Sequence, residues 1–134
     1  MDNVLIDTSV WINFFGGKDQ KIISAVQELL YRDKVVICPP VYQEILQGIK
    51  YPKEFLDMKD RFGALKQLHA DPFQAAEGAA QIYSVLRSKG VTIRKSNDCL
   101  IAWYAMTSDA VLFHLDRDFV PISEFFKLRF YQVN

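Results

Sequence analysis

The sequence predicts an α/β fold, a three-layer α/β/α domain with a central, mostly parallel sheet. Two observations lead there. Short apolar runs (Val4-Leu5-Ile6, Val35-Val36-Ile37-Cys38 and residues 110–115) are continuous rather than alternating, as in strands buried on both faces. The segments between them repeat their apolar residues at helical spacing. Strands alternating with helices make a parallel sheet with helical crossovers.

The first strand, Val4-Leu5-Ile6, runs into Asp7, and Thr8 or Ser9 is expected to cap the helix that follows. Asp7 then stands at the carboxyl end of the strand, where open α/β sheets gather their ligands. Aspartate is also a leading N-cap residue, so Asp7 has a structural reading beside the functional one. Val10, Trp11, Phe14 and Phe15 mark one face of a short helix, with its aromatic residues assigned to the core and Gly16-Gly17 as the stop. Ile22, Ile23, Val26, Leu29 and Leu30 form the stripe of a second helix.

Val35 to Cys38 is the second strand, ended by Pro39-Pro40, which suit the first turn of a helix. That helix carries Val41, Ile45, Leu46 and Ile49, with Glu44 at the margin of its apolar face, and Tyr51-Pro52 breaks the chain. Phe55, Met58, Phe62 and Leu65 mark a further amphipathic helix. Asp71-Pro72 opens a long one that stops at Gly90. Val91-Thr92-Ile93 is too short to assign. Ser96-Asn97-Asp98 starts a helix that is apolar nearly all round and therefore central, with Ser96 and Asn97 offering capping oxygens. Residues 110–115 form a strand ending at Asp116. A short helix or loop follows through Phe119, and residues 128–133 are assigned to a last, edge strand.

Composition narrows the functional classes. With 134 residues, 50% hydrophobic and 24% charged, the chain reads as one globular domain over residues 1–134. No apolar run approaches the roughly 18 residues of a membrane span, and no basic leader with a cleavage site precedes the first strand. Cys38 and Cys99 lack metal-site spacing and are expected as reduced, buried thiols of a cytoplasmic protein. The zero net charge gives no overall attraction to nucleic acid, and no glycine-rich phosphate loop is present.

The acidic residues are more informative. Helices of a parallel sheet begin near the carboxyl ends of its strands, so Asp7, Glu44, Asp98 and Asp116 all fall on one sheet edge, with Asp118 close enough in sequence to join them. Such a cluster repels itself and loses hydration, which is costly unless a cation neutralises it. Oxygen donors without a Cys or His partner suit Mg²⁺ or Mn²⁺, and Mg²⁺ binds phosphate oxygens while keeping several waters. That combination points to phosphoryl-transfer or phosphodiester chemistry. Arg94, Lys95 and Arg117 flank the acids and are candidates to meet phosphates. Among the two histidines, His69 is assigned to the surface, away from the acidic edge. His114 borders that edge as a neighbour rather than a ligand.

Asp7-Thr8-Ser9-Val10-Trp11-Ile12, Glu44, Asn97-Asp98-Cys99-Leu100-Ile101-Ala102 and His114-Leu115-Asp116-Arg117-Asp118-Phe119 resemble, in order and spacing, the motifs of PIN domains. The size and whole-chain layout resemble the VapC-type ribonuclease toxins of toxin–antitoxin pairs. The resemblance implies that Asp7, Glu44, Asp98 and Asp116 hold one or two divalent ions. It further implies that Asp118 assists and that Thr8 or Ser9 supports the site. It also implies an RNA substrate, a small VapB-like antitoxin and a homodimer. The chain departs from the family pattern in two places: His114 stands where a Thr or Ser is common, and Trp103-Tyr104 stand where small residues are usual. Two rival readings remain at this level. One is a catalytically silent RNA-binding domain. The other is a phosphoacceptor or phosphatase-like domain, which would carry a covalent aspartyl phosphate and leaves Glu44 and Asp98 together unexplained.

Overall fold

The structure is a computed structural model describing residues 1–134. In chain order its elements are β1 (Val4–Ile6), α1 (Thr8–Gly16), α2 (Gln20–Tyr31), β2 (Val35–Ile37), α3 (Pro39–Gln47) and α4 (Pro52–Gly63). They continue with β3 (Lys66–Gln67), α5 (Pro72–Ser88), α6 (Ser96–Thr107), β4 (Val111–Phe113), a 3₁₀ turn (Arg117–Phe119) and α7 (Val120–Phe125).

The sheet has the order β3-β2-β1-β4, and all of its pairings are parallel. β1 lies inside it, with Val4 opposite both Val35 and Val111. Every residue of β1 and β2 is buried, as strands covered by helices on both faces must be. The helices complete a three-layer α/β/α arrangement: α1 packs on α2 and α3, α3 on α4 and α6, and α5 on α6 and α7. The chain lays strands outward from β1 to β3 and then returns to the opposite side of β1 for β4. The reversal between β1 and β4 is the switch point at which open parallel sheets form a crevice.

Local chemistry explains the helix boundaries. Asp19 accepts the Lys21 and Ile22 N–H groups, and Asp71 those of Phe73 and Gln74, so both N-caps are satisfied by carboxylates. Pro39, Pro52 and Pro72 open α3, α4 and α5. Gly17 ends α1 in the left-handed conformation at φ 70°, which glycine adopts without steric cost. No helix is long and apolar enough to cross a membrane.

Helices α5 and α6 pack against each other along their length. At Gly78 an added Cβ would lie 2.0 Å from Trp103 Nε1, so the indole rests directly on the α5 backbone. Trp103 in turn meets Tyr104 edge-on at 5.2 Å between ring centroids. The bulky pair in the α6 motif is thus accommodated by one absent side chain on the facing helix.

Four expectations are corrected. The first helix is capped by Asp7, not by Thr8 or Ser9. The cap of α6 is Lys95, which makes no side-chain capping bond, so Ser96 and Asn97 already lie inside the helix. Residues 128–133 form no strand; they join the sheet by one parallel bridge, Leu112 to Phe130, and by the Tyr131 ring against Phe113. Phe15 is 49% exposed, because only Trp11 and Val10 of α1 turn fully into the core. Two elements went unforeseen. β3 is two exposed polar residues held by pairing with β2, and α7 follows directly on the 3₁₀ turn.

Candidate metal centre

The edge of the sheet where β1 and β4 end collects the acids. Asp7 follows β1, Asp116 and Asp118 lie in the turn after β4, Asp98 is in the first turn of α6, and Glu44 sits midway along α3. Asp98, Asp116 and Asp118 each place a carboxylate oxygen within 4.8 Å of the others. Asp7 and Glu44 stand outside that trio, and Asp7 acts on it electrostatically. The Asp7 charge helps to raise the pKa of both Asp98 and Glu44.

Each carboxyl group has its own environment. Asp98 is 4% exposed, and its Oδ2 is buried without a hydrogen-bond partner. Burial, joined by the charges of Asp7 and Asp116, pushes its pKa up to about 7. Burial also raises the pKa of Glu44, against the hydrogen bond that Thr8 Oγ1 donates to Glu44 Oε1 at 3.0 Å. Asp116 moves the other way. The Asp118 N–H donates to its Oδ1 at 2.9 Å and favours the charged form, aided by Lys95. The thiol of Cys38 is buried next to this edge and is driven up to about 12, chiefly by burial.

Ser9 joins the two sides of the crevice. Its N–H and its Oγ both donate to Asp7 Oδ2, at 3.1 and 2.5 Å, and its Oγ accepts the N–H of Leu115 at 3.1 Å. Asp7 is therefore both helix cap and crevice wall, and the residue before Asp116 is anchored from across the sheet. His114 packs between Phe119 and Phe130, with centroids 5.2 and 4.3 Å away. Its burial lowers its pKa.

Two cations reach the acids. Arg94 forms a fork on Asp118, Nε to Oδ2 at 3.1 Å and Nη2 to Oδ1 at 3.2 Å. Lys95 Nζ lies 3.5 Å from Asp116 Oδ2. Arg117 is exposed and makes no ion pair. His69 is exposed, as expected, yet it lines a crevice with Cys38 and Tyr42 at the end of β2 and so is not remote from the acidic edge. The equal share of Asp118 in the trio had a sequence signal, the Asp-x-Asp spacing in a turn. The Arg94 fork spans 24 positions and had none.

A divalent cation fits this set of donors. Three carboxylates converge, one of them offers a buried oxygen with no partner, and every donor is oxygen, which suits a hard cation.

Comparison with known proteins agrees with the geometry. The family model for the PIN domain matches residues 4–124. A VapC ribonuclease from Mycobacterium bovis is 32% identical over 128 residues, covering 94% of this chain and 96% of the relative. Ribonuclease VapC11 from Mycobacterium tuberculosis shows the same identity and coverage. Among solved structures, VapBC-1 from nontypeable Haemophilus influenzae superposes with a TM-score of 0.74 at 20% identity, over 96% of both chains. VapBC2 from Rickettsia felis bound to a promoter DNA fragment gives 0.73 at 18% identity, over 98% of both. At these identities the structural likeness establishes the fold.

Proposed function

Because this chain belongs to the PIN-domain family and, within it, to the VapC ribonucleases, we propose that its acidic crevice hydrolyses RNA phosphodiester bonds with Mg²⁺ or Mn²⁺. Asp7, Glu44, Asp98 and Asp116 would hold the ion, with Asp118 beside them. When bound, the ion supplies a water of lowered pKa and positive charge opposite the scissile phosphate. The protein's own groups supply the rest. Ser9 fixes Asp7 through Oδ2, and Thr8 holds Oε1 of Glu44, which leaves Oε2 to face the ion. Arg94, Lys95 and Arg117 surround the trio with cationic side chains that can meet phosphate.

The observation that carries this reading is the unpartnered, buried Oδ2 of Asp98 among like charges. Such a group is unfavourable in itself and becomes favourable with a cation.

End-group analysis of cleaved RNA tests the mechanism. Water attack leaves a 5′-phosphate and a 3′-hydroxyl, whereas attack by the neighbouring 2′-hydroxyl leaves a cyclic phosphate. The expected result is 5′-phosphate ends, dependence on Mg²⁺ or Mn²⁺, and loss of cleavage in EDTA. Cleavage should persist when the 2′-hydroxyl at the cut site is methylated, and at a reduced level in His114→Ala. Cyclic-phosphate ends formed in EDTA would refute it.

The same reading makes this chain the toxin of a cytoplasmic toxin–antitoxin pair, restrained by a VapB-like antitoxin and acting as a homodimer. An apolar crevice continuous with the acids supports the antitoxin. Ile12, Phe15, Ile49 and Met58 line it together with Thr8 and Glu44, and Ile12 is 68% exposed. Growth arrest on expression alone, reversed by the antitoxin, is the expected phenotype.

A further inference from the structure

On that reading of the acids, we propose that Arg94 and Lys95 are phosphate ligands parked on the metal site. They pair with Asp118 and Asp116 when no cation is bound, and turn to the RNA backbone when one is.

The basic side chains and a cation compete for the same negative charge. A carboxylate oxygen bound to Mg²⁺ lies at about 2.0–2.1 Å from the ion. Both oxygens of Asp118 are taken by the Arg94 fork, and Asp116 has Oδ1 on the Asp118 N–H and Oδ2 facing Lys95. Of the trio, only Asp98 has an oxygen buried without a partner. Without a cation the two basic side chains thus neutralise the acids that would otherwise repel one another. A divalent ion beside these carboxylates sets two positive charges against the guanidinium and the ammonium and weakens both pairs, leaving the two cationic groups at the rim of the crevice. Both are groups that bind phosphate, the guanidinium bidentately.

The local structure permits this motion and limits it to side chains. Arg94 and Lys95 side chains are 74% and 65% exposed, so leaving the acids uncovers nothing apolar. Their backbone is fixed on one side by buried Ile93 and on the other by α6. The ion pairs are solvent-exposed on the cation side and hence weak enough to exchange.

Calorimetric titration with Mn²⁺ alone tests the idea on wild type, Arg94→Gln, Lys95→Gln and Arg94→Lys. Freeing a surface ion pair of ordinary strength should tighten Mn²⁺ roughly twofold to fivefold in each Gln variant. Arg94→Lys, which keeps the charge but not the fork, should recover part of that gain. The Arg94 Nε–H resonance should move to its free-solution position as Mg²⁺ saturates the wild type. In cleavage assays the Gln variants should raise KM with little change in kcat. A fixed Arg94 resonance on saturation, or Mn²⁺ affinity unchanged in Arg94→Gln, overturns the parking. An Arg94→Lys variant that binds Mn²⁺ as tightly as Arg94→Gln shows that the cation at this position does not compete with the metal and overturns it too. A wild type that binds no Mn²⁺ instead overturns the metal reading on which the proposal stands.

Discussion

Asp98→Asn should make the metal-free protein more stable, and the gain should vanish on acidification. In the unfolded chain Asp98 ionises near 3.8, whereas in the fold it holds its proton to about pH 7. Between those values the folded state binds the extra proton, so this group makes stability fall as pH rises from about 4 to 7 and then level off. About three pKa units at 1.36 kcal/mol each set a ceiling of about 4 kcal/mol. The asparagine amide brings N–H groups of its own that need acceptors, so a net gain of about 2 kcal/mol at pH 8 is expected. For a chain of this size that is a rise in Tm of about 6 °C or more. Asp116, with its pKa held low, adds stability that is lost only as pH falls through that lowered value, outside this window. The assay is thermal unfolding of both proteins in EDTA at pH 5 and pH 8, repeated with saturating Mn²⁺. Metal at about 100 times Kd should add about 2.7 kcal/mol to wild type. It should add much less to the variant, reversing their order. A Tm difference that does not change between pH 5 and pH 8, or a wild type already the more stable in EDTA at pH 8, would refute the reasoning.

Other substitutions probe the supports. Gly78→Ala should destabilise by about 1–3 kcal/mol in urea unfolding, because its Cβ would collide with the Trp103 indole; Trp103→Leu in the same chain should recover part of the loss. Ser9→Ala removes the hydroxyl that joins Asp7 to the Leu115 N–H, and should cost about 1–2 kcal/mol together with most of the cleavage activity. Cys38 and Cys99, buried and driven up to about 12 and 11, should stay unmodified by a thiol reagent in the native protein and react on unfolding.

The sequence announced what depends on local chemistry. Buried strands showed as apolar runs, and α5 was legible because Asp71-Pro72 both caps and starts it. What depends on distant partners was not visible. Lys66-Gln67 carries no strand signal, since its only reason to be extended is the edge of β2. Residues 128–133 have strand composition, yet their backbone pairs with β4 at Leu112 alone. The acids were placed on one edge by topology alone, but their individual environments needed coordinates. Asp98 has an unpartnered oxygen, while the Asp116 carboxylate accepts the Asp118 backbone N–H. Position 114 shows the same limit. A missing hydroxyl in the motif could not reveal that Ser9, 106 positions away, holds the following residue.

The placement of β1 between β2 and β4 has a consequence for synthesis. Its pairing with β4 joins residues 4–6 to residues 111–113, and the trio draws on positions 98, 116 and 118. A growing chain can assemble α1, α2 and β2 around β1 early, while the other edge of β1 stays open and its hydrogen-bonding groups unpaired. Long-range parallel pairing of this kind is slow and comes late. No chain interrupted before residue 118 can gather the three carboxylates, so the crevice does not exist until synthesis has passed that position.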